Sequence, residues 1–107
     1  DRMVHVNRYD YLSTESEGIP TEFALHENYP NPFNASTLFT LSLPIQEHVS
    51  IKVYDLTGQI VANIVDNVFN PGQYEIRWDG TGLASGTYFY QMNAGKVKLT
   101  RKMLLLR

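Results

Sequence analysis

The sequence predicts an all-β fold, an antiparallel β-sandwich of about seven short strands. Three observations carry that prediction. Apolar residues recur with a period of two in one segment after another. Turn signals interrupt the chain every ~10–12 residues, the spacing of a sandwich. No stretch of any length keeps a helical period. The 12% aromatic content, led by seven tyrosines, adds residues that fit a pleated, half-buried surface.

The elements follow in chain order. In residues 1–12 (DRMVHVNRYDYL), Val4 and Val6 stand between polar neighbours, which reads either as a strand or as the end of a preceding domain. Ser13–Pro20 (STESEGIP) is small, acidic and closes on Gly-Ile-Pro, the composition of a linker or long loop. Phe23 and Leu25 alternate with Glu22 and His26 and open the domain proper. In Asn28–Asn34 (NYPNPFN), two prolines fix φ and bias the residues before them away from the helical region. The segment is therefore a stiff, extended corner, expected to bring Tyr29 and Phe33 to the end of a core. Ser36–Leu43 places Phe39, Leu41 and Leu43 inward and Thr40 and Ser42 outward, and Pro44 stops it.

The clearest hairpin is Val49–Val65. Val49, Ile51 and Val53 alternate with Ser50, Lys52 and Tyr54, and Asp55-Leu56-Thr57-Gly58 supplies the turn. The return run Gln59–Val65 is apolar on both faces, which predicts a strand covered on both sides at the centre of the fold. After the Asn70-Pro71-Gly72 turn, Tyr74, Ile76 and Trp78 alternate with Glu75, Arg77 and Asp79, and Trp78 is expected to anchor the core. Asp79-Gly80-Thr81-Gly82 breaks that strand. Gly86–Asn93 is aromatic and strand-like, and Ala94-Gly95 turns into Lys96–Leu106. In that last run Val97, Leu99, Met103 and Leu105 share one face, interrupted by Arg101. Lys98, Thr100 and Lys102 take the wet face, where lysines discourage edge-to-edge aggregation.

A chain of 107 residues forms one domain plus at most a tail. Its net charge of −2 argues against a nucleic-acid binder held by phosphates. The charge is unevenly placed. Residues 1–27 carry six acids (Asp1, Asp10, Glu15, Glu17, Glu22, Glu27) against Arg2 and Arg8, whereas residues 96–107 carry Lys96, Lys98, Arg101, Lys102 and Arg107 and no acid. Such polarity marks the C-terminus as a candidate recognition end. The absence of cysteine excludes disulfides, zinc-thiolate sites and thiol catalysis. There is no apolar run near the length of a transmembrane helix. The chain opens at Asp1 with neither methionine nor signal peptide and reads as a piece of a longer protein.

No catalytic constellation is legible. His5, His26 and His48 are far apart and in no metal spacing. Gly80-Thr81-Gly82 with Gly86 misses the dinucleotide-binding spacing and precedes a β-rich segment. Ser85-Gly86 lacks the surroundings of a nucleophile elbow. Asp55 and Asp79 sit in turn signals, where backbone bonding accounts for them. Asn34-Ala35-Ser36 fits the short N-glycosylation pattern. Tyr88, Phe89 and Tyr90 offer a sugar-stacking platform only if the strand's alternation leaves them exposed.

Five ordered motifs carry a family resemblance. NYPNPFN (28–34), VYDLTGQIV (53–61), PGQYEIRWDG (71–80), LASGTYFYQMNAG (83–95) and RKMLLLR (101–107) together resemble the C-terminal sorting domain of the type IX, or Por, secretion system, in its type A form. The resemblance implies an Ig-like sandwich over residues 23–107, with residues 1–22 a linker or the end of a preceding cargo region. It implies a non-enzymatic transport address that needs no cofactor and no metal. Its partners would be the outer-membrane translocon, a surface sortase with a cysteine nucleophile, and the N-terminal cargo domain of the same chain, with no nucleic acid and no membrane insertion. The cargo would pass through the periplasm to the cell surface, to be attached to lipopolysaccharide or released. The family's signal elements map onto Gly86 and Tyr88, and onto Lys102, Met103, Leu104, Leu105, Leu106 and Arg107. The cleavage region would fall at Ser13, Thr14, Glu15, Ser16, Glu17 and Gly18. Ala35 departs from the family's frequent proline, which implies a less rigid corner, and Tyr74 departs from a frequent histidine.

Two other readings stay open on the residues alone. The VYD-x-x-G hairpin is shared with modules resembling the Ig-like part of flagellar hook-capping proteins, which would make the chain a structural module. The aromatic strand would suit a carbohydrate-binding accessory domain of an extracellular enzyme.

Overall fold

A computed structural model describes residues 19–106 together with the backbone of residues 4–6. Eight strands form: β1 (Val4–Val6), β2 (Ala24–Leu25), β3 (Ser36–Leu43), β4 (Glu47–Tyr54), β5 (Ile60–Phe69), β6 (Gly72–Asp79), β7 (Gly86–Ala94) and β8 (Val97–Leu105). They make two antiparallel four-stranded sheets, in the orders β1-β6-β3-β2 and β5-β4-β7-β8. The architecture is the all-β, Ig-like sandwich that the period-two pattern predicts, with no helix among the described residues. The seven expected strands are present. The eighth is β1, whose backbone runs beside β6 from Val4↔Ile76 to Val6↔Tyr74.

Alternation places the core. Phe39, Leu41 and Leu43 of β3 and Ile76 of β6 face Val49, Ile51 and Val53 of β4 and Tyr90 and Met92 of β7, all buried between the sheets. The aromatic residues interlock, with Phe39 and Tyr90 at a ring separation of 4.6 Å. Trp78 is half-buried rather than central. It seals one end of the core against Phe33 and Phe39, each at 6.0 Å between ring centres.

Two sequence expectations fail here. The Gln59–Val65 run is not a strand covered on both sides. It belongs to β5, the outermost strand of its sheet, where Ile60 is 51% exposed and only Val65 and Phe69 are buried. The reason is visible in the pairing of β4 with β5, which shifts register between Ile51 and Lys52 and again between Val53 and Tyr54. Each bulge inserts a residue and interrupts the alternation of faces, so apolar residues fall on both faces without both being covered. The central strands of the sheet are β4 and β7.

Tyr29 does not reach the core either, being 76% exposed. Its backbone exchanges hydrogen bonds with Leu38 at 3.0 and 2.9 Å, and alternation about that bridge turns Asn28 inward and Tyr29 outward. Ala35 takes φ 96°, a value closed to proline.

Candidate recognition surface at the C-terminal strand

The two segments singled out as signal elements are neighbours in space. Along β7 and β8, Gly86 lies opposite Leu105, Thr87 opposite Leu104, Tyr88 opposite Met103 and Phe89 opposite Lys102. Period two then sorts their side chains. Tyr88, Met103 and Leu105 are buried in the core, Leu104 is half-buried on the outer face, and Lys102 and Leu106 are exposed. Tyr88, Met103 and Leu105 therefore shape the core, while Lys102, Leu104 and Leu106 meet solvent. Arg107 and the Ser13–Gly18 region lie outside the described residues.

Tyr88 and Gly86 fix the start of β7. The Tyr88 hydroxyl donates to the Ala84 carbonyl at 2.6 Å and ties down the loop four residues upstream. Gly86 has φ 153°, and a Cβ there would meet no atom within 4 Å. Glycine is required at this position by its backbone conformation, not by lack of space.

The NYPNPFN corner closes the far edge of β8. The Phe33 N–H donates to the Leu104 carbonyl and the Leu106 N–H donates to the Phe33 carbonyl, both at 2.9 Å, in a short parallel bridge centred on Leu105. The Leu104 N–H donates to Oδ1 of Asn31 at 3.1 Å. The corner is itself held from within. Asn28 is buried, and its Nδ2 donates to the Pro30 carbonyl at 3.1 Å and to Oγ1 of Thr37 at 3.0 Å. The Gly80 N–H donates to the Ala35 carbonyl at 2.6 Å. A side chain on Gly80 would crowd Trp78 at 3.2 Å and Phe33 at 3.4 Å, so glycine permits the corner to seat.

The link between the corner and the C-terminal strand is invisible to hydrophobic patterning, because backbone groups make it. A signal existed nonetheless. Pro30 and Pro32 have no N–H, which concentrates the donor capacity of that segment at a few residues, Phe33 among them.

A second feature was also legible and missed. The motif Asp-x-Thr-Gly occurs twice, at 55–58 and 79–82, and folds the same way both times. In each, the aspartate Oδ1 accepts from the threonine N–H and hydroxyl, and the glycine takes φ of 91° or 99°. The Thr57 hydroxyl, with the backbone N–H groups of Gln59, Thr57 and Gly58, holds the exposed Asp55 carboxyl below the usual aspartate value of 3.8.

Two further side chains fasten β7 and β8 to the segment around β2. Arg101 interrupts the apolar face because its Nε donates to the Leu25 carbonyl at 2.6 Å. The Tyr90 hydroxyl donates to the His26 carbonyl at 2.7 Å, and burial pushes its pKa up to about 12. Of the histidines, His48 forms an exposed contact with Asp66 at 2.8 Å, and His26 lies 3.4 Å from the Ser42 hydroxyl. No group of three or more metal-ligating side chains assembles among the described residues. Tyr88 and Tyr90 are buried and only Phe89 is turned outward, so the three do not form a flat sugar platform. Among the described residues, no helix is long and apolar enough to cross a membrane.

The described surface around the strand end carries shallow, solvent-open depressions. One of ≈230 Å³ lies between the β4–β5 turn and the Ser85–Tyr88 segment. Another of ≈190 Å³ is lined by Asn31, Thr87, Lys102, Met103 and Leu104. The C-terminal strand of this Ig-like sandwich is thus capped at Leu104 and Leu106 and carries Lys102 and Leu104 on its outer face. The family comparison agrees: the model of the secretion system C-terminal sorting domain matches residues 27–106, and the chain belongs to that family. Membership assigns it to sorting by the type IX secretion machinery and to export to the cell surface or beyond. Neither the curated proteins nor the solved structures contain a match to the chain.

Proposed function

We propose that this chain is a non-catalytic C-terminal secretion signal. It directs the protein preceding it through the periplasm and across the outer membrane by way of the type IX translocon. A surface sortase then removes it, within the Ser13–Gly18 region, and leaves the cargo on the cell surface or released. The observation that carries this reading is the family match over residues 27–106, reinforced by the joining of Gly86 and Tyr88 to Lys102–Leu106 across one strand pair. Recognition uses the outward residues of that pair, Lys102, Leu104 and Leu106, on a scaffold set by the inward ones.

The test is export of a periplasmic reporter fused ahead of all 107 residues in a type IX-competent bacterium. The reporter is expected at the cell surface. Deleting Lys102–Arg107 returns it to the periplasm, but that deletion also removes the buried Met103 and Leu105. Lys102→Ala with Leu106→Ser keeps those core residues and separates signal from fold. Undiminished surface delivery by both variants would overturn the proposal.

A further inference from the structure

The outer face of the β5-β4-β7-β8 sheet extends well beyond the signal residues. Register aligns Tyr54, Phe89 and Lys102 across β4, β7 and β8, then Lys52, Gln91 and Thr100, then Ser50, Asn93 and Lys98. Tyr54 and Phe89 are half-buried, and Leu56 beside them is 70% exposed. Together they border a shallow depression of ≈390 Å³. Lys52, Lys98 and Lys102 form no ion pair among the described residues. Asp55 is held by its own turn and Asp66 by His48, so neither carboxylate meets a lysine. The face therefore displays three lysines outside any ion pair among the described residues, around an aromatic centre, although the chain as a whole is acidic.

The spacing of the lysines limits what can satisfy them. Strands two apart in a sheet stand ~10 Å from each other, and four residues along a strand span ~13 Å. Both exceed the ~8 Å screening length at physiological salt, so the lysines act as three separate point charges. A partner that meets all three at once presents its carboxylates over an extended surface.

The C-terminal end of the β8 edge, closed at Leu104 and Leu106, points the same way. Strand addition needs unpaired backbone groups, and Leu104 and Leu106 have committed theirs to Asn31 and Phe33. What the signal end offers a partner is its side-chain face.

We propose that this face docks an acidic protein surface of the export machinery. Carboxylates of the partner meet Lys52, Lys98 and Lys102, and an apolar side chain enters the depression between Tyr54, Leu56 and Phe89. The inference rests on the sorting-signal reading and adds the mode of recognition to it. The aromatic centre favours a protein over an anionic lipid surface, which would meet the charges and leave the depression unfilled.

The deciding variant is Lys52→Glu with Lys98→Glu in the reporter fusion, with Gly86, Tyr88 and Lys102–Arg107 intact. Both side chains point outward, so the thermal midpoint and circular dichroism stay as in the parent. Surface delivery falls about tenfold or more, since reversed charges at an interface slow productive encounter. Glu75→Lys, on the opposite sheet, leaves delivery unchanged. Normal delivery by the double variant, alongside failure of Lys102→Ala with Leu106→Ser, overturns this inference and leaves the sorting function standing. Normal delivery by both overturns recognition through this outward face, and only if deletion of Lys102–Arg107 also leaves delivery undiminished does the sorting function itself fall. Vesicles of phosphatidylglycerol and phosphatidylcholine provide the remaining arm, with no binding of the 107-residue chain expected. Salt-sensitive binding that Lys52→Glu with Lys98→Glu abolishes would assign the face to lipid and overturn protein docking.

Discussion

The two edges of the β5-β4-β7-β8 sheet meet the same hazard in different ways. Any edge strand presents unpaired backbone groups that invite another chain. At β5 the edge is blunted locally: two bulges distort its pairing with β4, and Asn67 accepts its neighbour's N–H, that of Val68, at 2.9 Å. At the C-terminal end of β8 the edge is covered from a distance. Phe33 and Asn31 satisfy Leu104 and Leu106 across more than seventy residues of chain, and Arg101 reaches Leu25. The blunted edge needs nothing from the rest of the molecule. The covered edge makes the C-terminal segment depend on the corner, which couples a sorting signal to the folded state of the domain.

The largest expected effect comes from undoing the cover. Phe33→Ala removes a fully buried ring and should lower stability by ~3–5 kcal/mol, with faster hydrogen exchange at the Leu104 and Leu106 amides. A loss under ~1 kcal/mol in urea unfolding would mean that the corner does not hold the strand.

An intermediate effect is expected at Tyr90, which fastens the same side of the sandwich. Tyr90→Phe loses the hydrogen bond to His26 and should cost ~1 kcal/mol at neutral pH. Its pH dependence has a definite sign. The folded value is raised from 10.0 to about 12, so the stabilisation is complete below 10 and is lost as pH rises through about 12. The alkaline limb of the stability profile should therefore shrink in Tyr90→Phe, while Tyr74, also raised by burial, retains a smaller part of it. An identical limb in parent and variant would assign the alkaline transition elsewhere.

The smallest effect belongs to the blunted edge. Val68 is 57% exposed on β5, and Val68→Lys should change stability by no more than ~0.5 kcal/mol. A loss above ~1 kcal/mol would show that β5 is packed in a way its exposure does not reveal.

The difference between the edges also separates what could be read in advance from what could not. Period two identified Phe39, Leu41, Val49, Ile51, Val53 and Ile76 as core because a half-buried strand must alternate. The same rule misread Gln59–Val65, where two bulges break the period on which the rule depends. In the candidate site, the charge of Lys102 and the turn chemistry of Gly86 were legible as local properties. That Tyr88 and Met103 would be buried partners, and that Asn31 and Phe33 would seal the strand beside them, depended on register and on backbone hydrogen bonds.

By itself, the sequence determined the β-sandwich, its turns and the basic character of its C-terminal end, because alternation, turn propensity and charge are written residue by residue. Only the tertiary structure decided which strands became edges, that Gly86 and Tyr88 lie opposite Leu105 and Met103, and that Lys52 shares a face with Lys98 and Lys102. Those outcomes depend on pairing between distant segments, and a one-dimensional pattern does not record which partner a backbone N–H will find.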